Sequence, residues 1–400
     1  MADARASRAR EETHESSTLS PGTMRILITG GAGFIGSHTA DALAKKGHKI
    51  RILDNLEPPV HNRKWPSYIS KNYELIKGSV AKKEDWLKAL KNVDVVYALA
   101  AYQDQLPDYS KFFATNTIGA ALFFEIAHAK KLSIKKFIFA STQFIYGDGR
   151  YQCSHNSKFF YPPFRPLEQL EKSQWEVLCE HGQPAKFLLM KEDQKPQPPN
   201  AYALSKVAKE NLSFIFGRRL NIPTVGLRYS IVQGSRQSPR NAYSGSLRIF
   251  TTQALAGRDL TVYEDGHQLR DFINIHDVVA ANLLVLENPK ADWQIFNIGS
   301  GKGCTILDFV KLVKEVTKSS SQISVEEIFR FGDTRHAVSD ISKVKKMGWR
   351  PRFGPKDSIK EYAEWLQKEW KGGFDFSSGA LAKMKKLGIV KSVRFKPNRL

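Results

Sequence analysis

Thr29-Gly-Gly-Ala-Gly-Phe-Ile-Gly36 decides the fold of this chain. It follows the short apolar run Met24-Arg-Ile-Leu-Ile-Thr29 and opens a helix-like stretch from Phe34 to Lys46. Glycine at 30, 33 and 36 permits a tight turn and lets the backbone approach a pyrophosphate, which the helix N-terminus then stabilises. Such a turn between a strand and a helix predicts a dinucleotide cradle. Asp54 ends the next apolar segment, His48-Lys-Ile-Arg-Ile-Leu53. A carboxylate there accepts hydrogen bonds from a ribose 2′-hydroxyl and repels a 2′-phosphate, which favours NAD over NADP.

Outward from the turn, Tyr73-Glu-Leu-Ile76, Asp94-Val-Val-Tyr97, Lys136-Phe-Ile-Phe-Ala140 and Thr224-Val-Gly-Leu-Arg228 read as further strands. Helical patterns lie between them, notably 117–130 and 202–219. Strands alternating with helices predict an α/β fold, a Rossmann-type doubly wound parallel sheet covered on both faces. A smaller C-terminal substrate-binding lobe is expected to cap it. The organisation read from the chain is a disordered leader over 1–23 and an NAD-binding domain over 24–234. A substrate lobe with returning Rossmann elements follows over 235–370, then a basic tail over 371–400. Residues 149–199, rich in Pro, Lys and Gln, form an insertion of the functional or partly disordered kind.

Composition bounds the function. With 42% hydrophobic residues the chain can bury a sizeable core, and no run reaches the roughly eighteen apolar residues of a membrane span. Three cysteines argue against a disulfide scaffold and fit a reducing, cytoplasmic compartment. The net charge of +21 attracts polyanions, a class that includes both nucleotide sugars and nucleic acid. Dispersed surface lysines account for it equally well. After Asp375 there is no acidic residue, whereas Lys383, Lys385, Lys386, Lys391, Arg394, Lys396 and Arg399 follow. That tail reads as a solvated helix and extension, or as a segment that docks on an acidic partner.

The chemistry is carried by Tyr202-Ala-Leu-Ser-Lys206, whose tyrosine and lysine share one helix face. A phenol with its usual pKa of about 10 is a poor base at neutral pH. A neighbouring ammonium and a cationic nicotinamide stabilise the phenolate and lower that value. Thr142 ends the fifth strand, where open α/β sheets hold ligands, and supplies a hydroxyl to orient a substrate alcohol. Thr142, Tyr202 and Lys206 are the candidate catalytic residues.

With these residues in order, the chain resembles the extended short-chain dehydrogenase/reductase superfamily, and within it the NAD-dependent nucleotide-sugar epimerases and dehydratases. The resemblance runs from Met24 to about Leu366. Its blocks are the glycine turn, Leu53-Asp-Asn-Leu56, Ala98-Leu-Ala-Ala101, Asn116-Thr-Ile-Gly119 and Ser141-Thr-Gln-Phe-Ile-Tyr-Gly147. Later blocks are Tyr202-x-x-x-Lys206, Gly226-Leu-Arg-Tyr229, Arg270-Asp-Phe-Ile273 and Phe296-Asn-Ile-Gly-Ser-Gly301. The resemblance implies cofactor contacts from Gly30, Gly33, Phe34, Ile35, Gly36, Asp54, Asn55, Val80, Leu99, Ala100 and Ala101. It extends them to Asn116, Tyr202, Lys206 and Tyr229, with Asn116 also a structural and relay residue. Arg270 is implied as a ligand of the nucleotide diphosphate.

Ser79 departs from the family's usual aspartate near adenine, and Ile231 from a common asparagine. Gln143-Phe144 stands where dehydratases carry Asp-Glu, and that pair cannot act as acid and base, which argues against dehydration. Gly332-Asp-Thr-Arg-His336 and Gln237-Ser-Pro-Arg-Asn-Ala-Tyr-Ser-Gly245 resemble segments of 4-epimerases, including rhamnose 4-epimerase-like members. Arg335 is a candidate second diphosphate ligand, its guanidinium suiting phosphate geometry; pairing with a carboxylate is the other reading.

Within the insertion, Cys153-Ser-His155 and Cys179-Glu-His181 offer four ligands for a structural zinc site, although the one-residue spacer is tighter than usual. Unrelated thiols and imidazoles are the alternative. The resulting expectation is a nucleotide-sugar 4-epimerase working through a transient 4-keto intermediate and assembled as a homodimer. The alternatives are a net reductase or dehydrogenase on the same site, or a nucleic-acid-binding protein built on this fold.

Overall fold

The parallel sheet anticipated from the alternating pattern is present in the computed structural model, which describes residues 22–104, 107–240, 245–370, 373–374, 376 and 379–393. Most of the leader, part of the 237–245 segment, and Arg394, Lys396 and Arg399 of the tail lie outside the described residues. Strands β1 (Arg25–Thr29), β2 (Lys49–Asp54), β3 (Glu74–Lys77), β4 (Val95–Ala98) and β5 (Lys136–Thr142) are interspersed with four helices, none of them between β2 and β3. These are α1 (Phe34–Lys45), α2 (Lys83–Ala89), α3 (Tyr109–Phe113) and α4 (Gly119–Ala129). The inserted segment carries β6 (Tyr151–Gln152), β7 (Phe159–Phe160), α5 (Leu167–Glu171) and β8 (Lys186–Phe187). Helix α6 (Ala201–Arg219) and strand β9 (Thr224–Tyr229) then resume the main pattern.

The chain continues through β10 (Ile231–Gln233), α7 (Ser246–Leu255), β11 (Leu260–Tyr263), β12 (Leu269–Arg270), β13 (Phe272–Asn274) and α8 (Ile275–Glu287). Strand β14 (Ile295–Ile298) returns to the sheet, followed by β15 (Cys304–Thr305), α9 (Ile306–Thr317), β16 (Ile323–Glu326) and β17 (Ile328–Arg330). Helices α10 (Ser342–Lys345), α11 (Pro355–Glu369) and α12 (Ala380–Lys386) precede β18 (Val390–Ser392).

The central sheet runs β3-β2-β1-β4-β5-β9-β14, every neighbouring pair parallel. Its strands are apolar on both sides because both faces are covered. Ile26 and Ile28 pack towards α1 and α8, while Leu27 between them packs towards Trp86 and Phe123 on the other face. Burying each such side chain stabilises the fold by about 1.5–3 kcal/mol. The order of winding reverses between β1 and β4, which opens a crevice beyond their carboxyl ends.

Three further regions frame that crevice. The C-terminal lobe has its own core, including Leu247, Phe250, Val262, Phe272, Phe309 and Tyr362. The inserted segment forms a three-stranded antiparallel sheet, β7-β6-β8. In the tail, β18 pairs antiparallel with β17, and Met384 of α12 is buried against Ile328 and Val390. Among the described residues no helix is long and apolar enough to cross a membrane.

Candidate functional site

The crevice is one continuous cavity of about 1040 Å³, running from the glycine turn to the tail. Gly30, Gly33, Phe34, Ile35, Gly36, Asp54, Asn55, Val80, Leu99, Ala100 and Ala101 border it, as do Thr142, Tyr202, Lys206, Tyr229 and Arg270. At the turn, Gly30 has φ +70°, and a Cβ there would lie 2.7 Å from Ala100 Cα. A Cβ on Gly36 would lie 2.8 Å from Gly31 Cα and collide with the Gly30 carbonyl oxygen. The cradle therefore fits a group that approaches backbone closely, as a dinucleotide pyrophosphate does. Asp54 accepts hydrogen bonds from Ala32 N at 3.0 Å and Leu56 N at 2.8 Å, so its carboxylate braces the turn beside the cavity. Burial pushes its pKa up, opposed by the Leu56 amide and by His61.

Thr142 is the last residue of β5 and lies in register with Tyr229 of β9. Its Oγ1 accepts from Phe144 N at 3.3 Å, and its hydroxyl lowers the pKa of the Tyr202 phenol. Tyr202 sits in the first turn of α6, which Asn200 caps by accepting from Ala203 N at 2.9 Å. Lys206, one turn on, holds Nζ 5.6 Å from the centre of the Tyr202 ring and donates to Ala140 O at 3.2 Å. Burial holds Lys206 down to about 8, so it is still mostly charged at neutral pH. Burial also raises Tyr202 to about 12, partly offset by Thr142. In the protein alone, therefore, the lysine does not bring the phenol below its ordinary value; desolvation prevails.

Asn116 differs from the other cofactor candidates. It is wholly buried in a π-helical turn, Ala114–Ile118, and is not among the residues that border the cavity. Its side chain accepts from Tyr102 N at 2.9 Å and donates to Tyr102 O at 3.1 Å and Ser205 Oγ at 2.9 Å. It thus ties the loop after β4 to the residue beside Lys206.

Arg270 and Arg335 part company. Arg270 borders the cavity, its guanidinium oriented by the carbonyls of Leu269, Arg335 and Thr334 at 2.9, 3.0 and 2.8 Å. Arg335, anticipated as a second diphosphate ligand, has no exposed surface and does not border the cavity. It donates to Glu176 at 2.5 and 3.0 Å, to Glu264 at 3.0 Å and to Asp265 at 2.7 and 2.8 Å. Arg165 of the inserted segment joins the cluster through two bonds to Glu264, at 3.0 and 2.8 Å. Hydrogen bonds from His336 and Arg335 hold the Glu176 carboxyl down to about 2 despite its partial burial.

That cluster corrects the zinc expectation. The inserted segment is fastened to the C-terminal lobe by Arg165, Glu176, Glu264, Asp265 and Arg335, and by Met190, which exchanges backbone bonds with Val338 and Asp340. Among the described residues no three His, Cys, Asp or Glu side chains are grouped to hold a metal ion. Cys153 and Cys179 are buried free thiols. The rings of His155 and His181 instead face one another at 4.3 Å, and Asn156 bonds Glu180 and His181.

Sequence reasoning missed several groups. Arg236, Arg248 and Arg330 also border the cavity, adding cations to Arg270. Arg330 was detectable in Arg330-Phe-Gly-Asp-Thr-Arg335, but two arginines bracket that turn and their spacing does not say which faces a ligand. Under Thr142, Glu210 pairs bidentately with Arg228 at 3.0 and 2.8 Å and accepts from Ser141. Lys209 is buried beside Lys206 and donates to Ala98 O at 2.8 Å.

A Rossmann-type sheet with a threonine, tyrosine and lysine gathered at its carboxyl edge defines the extended short-chain dehydrogenase/reductase class. Within it, the chain belongs to the NAD dependent epimerase/dehydratase family, whose model matches residues 26–173 and 178–299. It is 28% identical over 352 residues to dTDP-L-rhamnose 4-epimerase of Burkholderia thailandensis, covering 86% of this chain and 95% of that one. The structure of UDP-glucose 4-epimerase from Thermotoga maritima with UDP-glucose superposes with TM-score 0.70 at 29% identity, covering 86% and 99% of the chains. That of UDP-glucose 4-epimerase from Thermus thermophilus with NAD gives 0.67 at 26% identity, covering 86% and 100%.

Proposed function

We propose that this protein is an NAD-dependent nucleotide-sugar 4-epimerase. The observation that carries the reading is that Thr142, Tyr202 and Lys206 border one cavity, with Lys206 Nζ 5.6 Å from the centre of the Tyr202 ring, and that this cavity continues to Arg270. Gly30, Gly33, Gly36 and Asp54 would hold NAD, with Lys206 and Tyr229 at the far end of its site. When bound, NAD supplies a hydride acceptor and donor at the sugar carbon. Thr142 holds the sugar oxygen, and Tyr202 removes and returns its proton. Because burial keeps the phenol near 12, that transfer depends on the charge of Lys206 and of the bound ligands. Arg270 binds the diphosphate. The family relationship and the 4-epimerase activities named for the relatives support this reading over a net dehydrogenase.

Gln143 supports the exclusion of dehydration, since it is buried and accepts from Ser339 Oγ at 3.3 Å. The exposed apolar side chains Ile118, Leu204, Ile215 and Phe216, near α4 and on α6, support a homodimer. Three free cysteines support a reducing, cytoplasmic compartment. The test is incubation with UDP-, dTDP- and GDP-sugars, resolving C4 epimers while following NADH. Epimer without net NADH is expected, and Tyr202→Phe should lower the rate by about 10²–10⁴-fold with an unchanged melting temperature. Net NADH with no epimer from any donor would refute the reading.

A further inference from the structure

The basic tail reads from sequence as solvated, yet residues 381–391 form part of the cavity wall. Leu381, Met384, Gly388, Ile389 and Lys391 border the same cavity as Tyr202, although they lie beyond residue 299, where the family match ends. They are held there by structure. Arg330 pairs with Val390 and Phe329 with Lys391 in the β17–β18 ladder, and Val393 N donates to Glu327 O at 3.0 Å. Met384 is only 3% exposed and packs with Tyr263, Leu381 and Ile389. Arg330 reaches Met384 Sδ at 3.7 Å and lies 5.2 Å from the centre of the Tyr263 ring.

These contacts fix which part of a ligand the tail meets. The reacting carbon must lie at Thr142 and Tyr202, and a diphosphate suits Arg270. Arg270 hydrogen-bonds Thr334 and approaches Asp333 at 4.0 Å, on the turn that leads back to Arg330. The tail joins the wall at Arg330 and Tyr263, next to the 331–334 turn that Arg270 touches. There it presents apolar surface for a flat base, from Leu381 and Ile389, and one cation, Lys391.

We propose that residues 381–391 form the outer wall of the nucleotide subsite, and that Ile389 and Lys391 determine which nucleoside diphosphate the protein accepts. The inference rests on the nucleotide-sugar reading above. The test is calorimetric titration of UDP, dTDP and GDP into the full-length, NAD-loaded protein, which needs no turnover. The wild-type protein should prefer one of the three, and Lys391→Gln and Ile389→Ala should each weaken it about 5- to 20-fold and change the ranking. Lys391 is partly exposed, so Lys391→Gln should keep the wild-type melting temperature. In turnover the same variants should raise KM and leave kcat within about 2-fold. Wild-type affinity and ranking in both folded variants would overturn the tail assignment alone. No binding of any of the three by the wild-type protein would overturn the nucleotide-sugar reading and the tail assignment together.

Discussion

Replacing Arg335 by glutamine removes five side-chain hydrogen bonds to Glu176, Glu264 and Asp265 without touching the cavity. Glu264 keeps Arg165, Glu176 keeps His336 at 3.2 Å, and Asp265 keeps the amide of His267 at 2.9 Å. Three carboxylates would then share a site that has lost its central cation. Breaking a buried ion pair from one side costs about 3–5 kcal/mol, because the remaining charge stays desolvated. Glu176 and Asp265 are about a third exposed, and water screens their part, so about 3 kcal/mol is the appropriate figure. For a chain of 400 residues the unfolding entropy makes each kcal/mol worth about 1 °C, so the melting temperature should fall by roughly 3–4 °C. Since this arginine fastens residues 149–199 to the C-terminal lobe, limited proteolysis should cut the inserted segment first. Calorimetry on the folded variant should give an affinity for UDP or dTDP within about 3-fold of wild type. A melting temperature within about 1 °C of wild type, together with a loss of nucleotide affinity of about 100-fold, would refute the structural role and restore Arg335 as a phosphate ligand.

Gly36→Ala should abolish NAD retention, because the new Cβ runs into the Gly30 carbonyl oxygen and meets Gly31 Cα at 2.8 Å; absorbance of the purified protein for bound nucleotide reads this directly. Glu361 accepts from Ser235 N and Oγ at 3.1 and 2.6 Å, and from Asn274 at 3.2 Å, and pairs with His276 at 3.4 Å. Burial would raise its pKa, but these partners hold it down to about 2. A depressed carboxyl adds stability that is complete above its unfolded pKa of about 4.5 and is lost as pH falls towards 2. Glu361→Gln should therefore lower stability at pH 7 by on the order of 1–3 kcal/mol and flatten the pH dependence between about 5 and 2. Denaturant melts across that range check it, and parallel curves for the two proteins would count against the assignment.

The parallel sheet was legible because its strands are short apolar runs, a pattern that only a sheet covered on both faces requires. The tyrosine and lysine were legible because helix geometry alone puts residues four apart on one face. Arg335 was not, since it follows Asp333 and Thr334 in a non-helical segment, where neighbouring side chains diverge and one residue of phase separates cavity from core. The zinc expectation failed for a related reason. Cysteine and histidine pairs are visible locally, whereas what fastens the inserted segment is a set of charges brought from positions 165, 176, 264, 265 and 335. The tail's helix, with its exposed lysines, follows the sequence pattern, but its anchorage does not show there, because the lysines dominate the composition while the residues that anchor it are the buried Met384 and Val390.

The seventh strand of the sheet has a consequence for biosynthesis. Strand β14 covers β9, yet roughly 65 residues of the C-terminal lobe lie between Tyr229 and Ile295. At about 5–20 residues per second, a ribosome needs roughly 3–13 s to supply it. Throughout that interval β9 is an uncapped apolar edge, the geometry that templates pairing between chains. Nascent molecules stalled after β9 should therefore be the aggregation-prone species, and chaperone capture should concentrate there.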